Sequence, residues 1–245
     1  MGQGWSWSGF TDYLFNPYLL SGAVTTLWLT LAAIAGGLVV GCALALARLS
    51  SRRWLNAPAH FYIWVFRGTP LLVQLIIIYT GLPQLGLKLS VIESALLGLI
   101  LNEAAYLAEI IRGGFASVDK GQVEAADSLG MSSMTKLRRV IIPQAMPTVI
   151  PATGNQVIGM FKETSLVSVL GVAELLQSVQ LIYARTYQTI PLLIVACLWY
   201  MLMTLALSYP QSLIEKKYSR SKSRVGTGSA QVLIPLDARL GGEAR

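Results

Sequence analysis

Residues 121–147 read GQVEAADSLGMSSMTKLRRVIIPQAMP, a polar and amphipathic stretch inside an otherwise apolar chain. Asp119 stands where a helix cap belongs, and Gln122 three residues on completes a capping-box-like pair. Glu124, Ala125 and Ala126 continue the helix with good formers, and Gly130 stops it, as a glycine just past a helix end does. Ser132 or Ser133 caps a second helix, which Pro143 bounds. On that helix Met134, Leu137 and Ile141 recur at helical spacing, with Lys136, Arg138 and Arg139 as its polar residues. The spacing predicts a helix, a glycine turn and a second helix over 119–143, too short to cross a membrane and too polar to enter one.

The surrounding chain is lipid-soluble. Its 245 residues are 54% hydrophobic and 13% charged, about half the charged share of an average soluble domain, which points to an all-α integral membrane protein. The net charge of +7 sits on residues that flank apolar runs, without a recognition motif. It reads as a positive-inside bias and not as a nucleic-acid footprint. Cys42 and Cys197 fall in apolar runs and read as small core residues. His60 is the only histidine, so no histidine metal cluster or triad can be built. The first basic residue, Arg48, follows the first long apolar run, so no cleavable signal peptide is expected.

About five spans are expected, near 19–47, 57–81, 91–111, 148–176 and 190–213, each about the 20 residues or more that a crossing needs. Residues 1–18, with Trp5, Trp7, Phe10 and Tyr13, read either as an amphipathic segment on the outer surface or as a frayed terminus. Gly37 and Gly41 in the first span have the GxxxG spacing that lets another helix approach. Arg48, Arg52 and Arg53 follow and place that end in the cytoplasm. Arg67-Gly68-Thr69-Pro70 breaks the second span. The fourth is expected to bend near 162–165, with an outer loop over 177–188 after it. Lys216, Lys217, Arg220, Lys222 and Arg224 hold the C-terminus inside, and 219–245 read as a mobile tail.

Polar residues at membrane depth are the candidates for function. Asn102, Glu103 and Glu109 lie in the third span, and Asn155, Gln156, Lys162, Glu163, Thr164 and Ser165 in the fourth. A charge there costs about 2.5 kcal/mol or more, so such groups face protein or a water-filled path. Glu109 reads as an i, i+3 partner of Arg112. Glu103 reads equally as a transport-path residue or a structural one. Lys162 and Glu163 are adjacent and project differently, so either one faces a path or both make inter-helix ion pairs.

Glu124-Ala125-Ala126, then Gly130, then Ile142-Pro143 resembles the EAA loop of membrane subunits of bacterial ABC importers. Phe66 to Gln74 (FRGTPLLVQ), Asn102 to Tyr106 (NEAAY) with Glu109 to Gly114 (EIIRGG), and Lys162 to Leu166 (KETSL) are similar to segments of the polar amino-acid permeases in that group, the histidine, glutamine and arginine type. The likeness covers roughly residues 20–215. It implies a type I importer permease in the bacterial inner membrane, N-terminus outside and C-terminus cytoplasmic, moving a polar amino acid or a related compound such as an opine by alternating access. It implies a cytoplasmic coupling loop docked on a separate ATP-binding cassette ATPase subunit, with Glu124, Ala125, Ala126, Leu129, Gly130, Met131 and Pro143 at the dock. It further implies a second permease subunit, identical or homologous, and an extracytoplasmic amino-acid-binding protein. The substrate path is expected to use Arg67, Asn102, Glu103, Glu163, Thr164 and Ser165. Their carboxylates suit an ammonium group or cationic side chain, and Arg67 or Lys162 suits a carboxylate.

No P-loop, nucleophile-elbow or zinc motif occurs in the chain. It is expected to be no enzyme and to carry no cofactor, ATP and Mg being bound by the partner subunit. An ion-coupled secondary amino-acid transporter is the rival that uses the buried carboxylates but leaves the loop idle. A membrane scaffold is the rival that uses the loop but not the polar residues at depth.

Overall fold

The computed structural model describes residues 8–226, with side chains from Phe10 to Tyr218. Trp5, Trp7 and the tail from 227 onward lie outside the described residues. A short helix α1 (Ser8–Leu14) leads into α2 (Pro17–Leu49). Asn16 caps α2 by accepting from the Tyr18 N–H, and Pro17 occupies the first turn, where its missing N–H costs nothing. At 33 residues α2 is about 50 Å long.

The glycines of α2 let α5 (Val91–Ala116) approach closely. A Cβ added at Gly37 would stand 2.6 Å from Glu103 Cγ, and one at Gly41 3.0 Å from the Ala104 carbonyl oxygen. The GxxxG expectation is met, and the partner is the third span. Gly36 meets Ile100 and Gly41 meets Leu107, so the numbering rises along both helices together and they run parallel.

Two parallel spans require the chain between them to cross back. Residues 53–85 make this connection as α3 (Arg53–Gly68) and α4 (Leu71–Ile76), the latter extended by a π turn at Ile77–Gly81 and a 3₁₀ turn at Leu82–Leu85. The two meet at 107°. Thr69 is extended, with φ −122 and ψ 147, as a residue before proline must be. Gly86 then turns the chain at φ 86, and Ser90 with Glu93 forms a complete capping box for α5.

After a polar loop, α8 (Ile142–Glu163) returns antiparallel to α5, with Gly114 against Val149 at one end and Gln156 against Glu103 further along. A 3₁₀ turn (Thr164–Leu170) and Gly171 at φ 90 redirect the chain by 47° into α9 (Leu175–Thr186). The final helix α10 spans Thr189–Gly226. Glu174 ties this half together. Its carboxylate caps the Gln177 N–H at 2.7 Å and accepts from Tyr200 Oη at 2.6 Å and Thr26 Oγ1 at 3.4 Å, joining α9, α10 and α2.

Pro17–Leu49, Val91–Ala116 and Thr189–Tyr218 are each long and apolar enough to cross a membrane, and the two bent pairs bring the number to as many as five. Four expectations change. The outer loop over 177–188 is helix α9 as far as Thr186, because Leu175, Val179, Ile182 and Tyr183 form an apolar face against α2 and α10 that the interleaved Gln177, Gln180 and Arg185 disguise. Pro143 bounds no helix: it sits in the first turn of α8, and a π turn at Leu137–Ile141 carries the backbone through. Cys42 and Cys197 are exposed on the outside of the bundle and are not core residues. Helix α10 passes the expected tail boundary at 219 and runs to Gly226, the last described residue.

The α2–α5 seam yields a stability test. Replacing Gly37 by Ala forces the Glu103 side chain to move and is expected to destabilise the bundle by about 1–3 kcal/mol, as overpacking does. Gly113, also on α5, has open space where a Cβ would go. Gly113→Ala is expected to be neutral or stabilising by up to about 1 kcal/mol. Thermal unfolding of the two variants in detergent separates these outcomes.

Candidate functional site

Two groups of residues stand out: the polar loop between α5 and α8, and the polar contacts where the spans meet. In the loop, Asp119 caps α6 (Lys120–Ser128) through the Gln122 N–H at 3.3 Å. The helix ends in a Schellman arrangement. The Met131 N–H reaches the Ala126 carbonyl at 3.1 Å and the Gly130 N–H reaches that of Asp127 at 2.9 Å, with Gly130 left-handed at φ 69. Ser132 then caps α7 (Ser133–Lys136) through the Thr135 N–H. Across the glycine turn Lys136 Nζ pairs with Asp127 Oδ1 at 2.5 Å, fixing the angle between the two short helices.

The loop presents Glu124, Ala125, Leu129 and Gly130 outward, with Met131 partly covered. Leu129 is 75% exposed and Met134 57%, apolar side chains on a polar loop that have nothing of their own chain to cover them. Ala126, expected on the same face, is buried at 3% and closes the turn instead. Pro143 is exposed but belongs to the root of α8.

The candidate path residues do not gather into one site. Arg67 lies at the basic end of the bundle, 3.5 Å from Glu109 and stacked over the Tyr106 ring. Glu109 also accepts twice from Arg112, both at 2.9 Å, as the i, i+3 spacing predicts. Asn102 donates to Gln74 Oε1 at 3.0 Å and to the Phe66 carbonyl at 3.4 Å. Gln74 donates in turn to the carbonyls of Phe66 (2.9 Å) and Thr69 (3.1 Å). The α3–α4 break leaves the carbonyls at the end of a helix without intrahelical partners. Asn102 and Gln74 satisfy them.

Glu103 is fully buried over Gly37, and Gln156 Nε2 donates to its Oε2 at 2.9 Å. Its other oxygen is buried without a protein partner. Thr164 and Ser165 give their hydroxyls to the Phe161 and Lys162 carbonyls, both at 2.7 Å, and thus close the turn that ends α8. Glu163 is half-buried beside the exposed Lys162. Gln74, Glu174 and the Asp127–Lys136 pair are absent from the sequence-based set, and Gln156, named there only as a polar residue of the fourth span, proves to be the partner of Glu103. Gln74 sits inside a quoted motif, and the opposite charges of Asp127 and Lys136 flank the glycine turn, so both carried a local signal. Glu174 carried none beyond a capping position.

Residues 37–220 match the family described as binding-protein-dependent transport system inner membrane component. The chain belongs to this family. It is 36% identical over 241 residues to the arginine transport system permease protein ArgU of Corynebacterium glutamicum, covering 92% of this chain and 76% of that one. It is 37% identical over 216 residues to the probable amino-acid ABC transporter permease protein YckA of Bacillus subtilis, covering 85% and 96%. A crystal structure of an amino acid ABC transporter with histidines superposes with a TM-score of 0.83 at 41% identity, over 88% of this chain and all of that one. An inward-facing MetNI methionine ABC transporter shares the fold alone, with a TM-score of 0.69 at 19% identity. The protein is thus a multi-pass ABC-importer permease of the type I architecture, and none of these relatives is an ion-coupled carrier.

In this permease the α3–α4 break rests on the Gln74–Asn102 pair. Gln74→Leu takes the side-chain donor from the Thr69 carbonyl, leaves the Phe66 carbonyl only the longer Asn102 bond, and is expected to cost about 2–3 kcal/mol, since buried polar groups left unmade cost about 1–3 kcal/mol. Thr69→Ala, which removes a single acceptor of Gln74, is expected to cost about 1 kcal/mol or less. Denaturation midpoints of the two variants, compared with the parent, check the ranking.

Proposed function

We propose that this permease moves a polar amino acid or a closely related compound across the bacterial inner membrane by alternating access, driven by a separate ATP-binding cassette ATPase docked on the loop over 119–143. The observation that carries the reading is the loop itself. Its outward face holds Glu124, Ala125, Leu129, Gly130 and Met131, its two arms are fixed by a Schellman turn and an ion pair, and its second arm is continuous with the membrane helix α8. A rigid apolar face on such a mount suits a protein partner, and Leu129 at its tip is the natural anchor. With ATP and Mg on that partner, the permease contributes motion and selectivity and no bond-making step.

The complex further comprises a second permease subunit, identical or homologous, because the five spans of one chain are few to enclose a path. It also comprises an extracytoplasmic amino-acid-binding protein. The basic end of the bundle, with Arg48, Arg52, Arg53, Arg67 and Arg112, and the positive α10 end at Lys216 and Lys217 support a cytoplasmic C-terminus by the positive-inside rule. The N-terminus is then outside. The names of the relatives, arginine for ArgU and amino acids for the others, support a polar amino acid as substrate. Glu103 and Glu163 at depth are the carboxylates available to an ammonium group once the bundle opens.

The test uses the permease co-expressed with its ATPase subunit and binding protein in proteoliposomes. Leu129→Asp is expected to weaken retention of the ATPase subunit by about tenfold or more, the loss typical of an interface anchor. Gly130→Pro, which cannot hold φ 69, is expected to abolish amino-acid-stimulated hydrolysis. If the variants hold the ATPase as the parent does, and uptake follows an ion gradient and not ATP, the reading is overturned.

A further inference from the structure

A cavity of about 630 Å³ lies where the ends of α2 and α5 meet the root of α7 and α8. Its ionisable lining is entirely cationic: Arg48, Arg112 and Lys136. The carboxylates that pair with two of them, Glu109 and Asp127, stand outside the lining. The remaining wall is largely apolar, with Leu46, Leu49 and Phe115, and Leu46 and Leu49 are 57% and 48% exposed. Arg48 is anchored by Nη1 on Asn56 Oδ1 at 3.1 Å, yet its Nε is buried with no acceptor. Buried donors almost always have a partner, so the protein does not saturate this guanidinium.

We propose that the cavity is a binding site for an anionic phospholipid, with the phosphate held by Arg48, Arg112 and Lys136 and an acyl chain lying along Leu46, Leu49 and Phe115. Position supports a lipid over a soluble anion. The cavity sits at the end of two membrane-spanning helices, the level at which headgroups meet hydrocarbon. A free phosphate would use the cations and leave the apolar wall idle. The neighbouring cavity of about 320 Å³ makes the contrast: it shares Arg48 and adds His60 and Arg67, but Glu109 lines it too and neutralises Arg67 there. The proposal needs only the membrane placement of the permease.

Native mass spectrometry of the detergent-purified full chain, titrated with phosphatidylglycerol or phosphatidylcholine, tests it. Phosphatidylglycerol is expected to be retained selectively. Arg48→Ala and Lys136→Ala are each expected to weaken it about fivefold, the loss expected for one cation near a charged lipid. Arg48→Lys is expected to keep most of the binding, and Arg185→Ala, remote in α9, all of it. Equal retention of the two lipids overturns the proposal, as does an equal loss in Arg185→Ala. Release of the lipid by millimolar inorganic phosphate identifies a free-anion site, and its release by a stoichiometric ATPase subunit identifies a protein dock. Either result also overturns it. If Arg48→Ala fails to fold, Lys136→Ala decides alone.

Discussion

The close approach of α2 and α5 is the contact on which the rest of the bundle depends. Without Cβ atoms at Gly37 and Gly41 the two helices come within van der Waals contact, and small residues are what permit this in lipid, where no hydrophobic drive joins one apolar helix to another. Because the pair is parallel, the intervening chain has to recross, and it does so with a 107° break. That break leaves backbone carbonyls without helical partners. Gln74 and Asn102 pair with those carbonyls, and Asn102 stands on α5 beside Glu103, which rests on Gly37. The glycine seam, the buried carboxylate and the broken span are therefore one construction.

The other half of the bundle follows the same rule with different parts. Glu174 is fully buried and is held by neutral donors from α2, α9 and α10. All three are hydrogen-bonding groups without charge, and no cation among the described residues pairs with it. Trp199 adds a second tie by donating to the Leu14 carbonyl at 2.8 Å, which closes the end of α1 onto α10. Several of these polar side chains repair helix ends: Gln74 that of α3, Glu174 the start of α9, Thr164 and Ser165 the end of α8, Trp199 that of α1. The Gln156–Glu103 contact is the exception, joining α8 to α5 in mid-helix.

What could be read from sequence was local. The caps at Asp119 and Ser132, the left-handed Gly130, the break before Pro70 and the Glu109–Arg112 pair all follow from chemistry within four residues. The spans follow from apolar runs, and the GxxxG spacing named one face of a contact without naming the other. What could not be read was long-range or masked. Nothing local says that Gln74 meets Asn102 28 positions on or that Glu174 meets Thr26. Helix α9 was missed because its polar residues interrupt an apolar face that is visible only once α2 and α10 cover it. Pro143 misled because proline usually ends a helix, whereas a π turn just before it shifts the hydrogen-bond register and lets the helix continue. Ala126 was placed with its neighbours on the exposed face, though consecutive helical residues point about 100° apart.

The continuity through Pro143 matters for how the loop acts on the membrane. Had the second arm ended at residue 143, a push on the loop would be absorbed by a flexible joint. Instead Ser133 to Glu163 is one helical path through the π turn, and Asp127–Lys136 binds the first arm to its base. On the proposed reading, displacement of the loop by an ATPase moves α8 as a lever. Among the contacts that resist are the hydrogen bonds from Gln211 on α10 to Asn155 and from Gln156 on α8 to Glu103 on α5. If the latter holds, α5 follows, and with it α2 through the glycine seam. If it breaks, a carboxylate already lacking one partner loses its other, and in so apolar a setting that state is costly unless water or a cationic group arrives. On the same proposed reading a substrate ammonium group would be such a replacement, and the Glu103 carboxylate would become available to it only when the lever has moved.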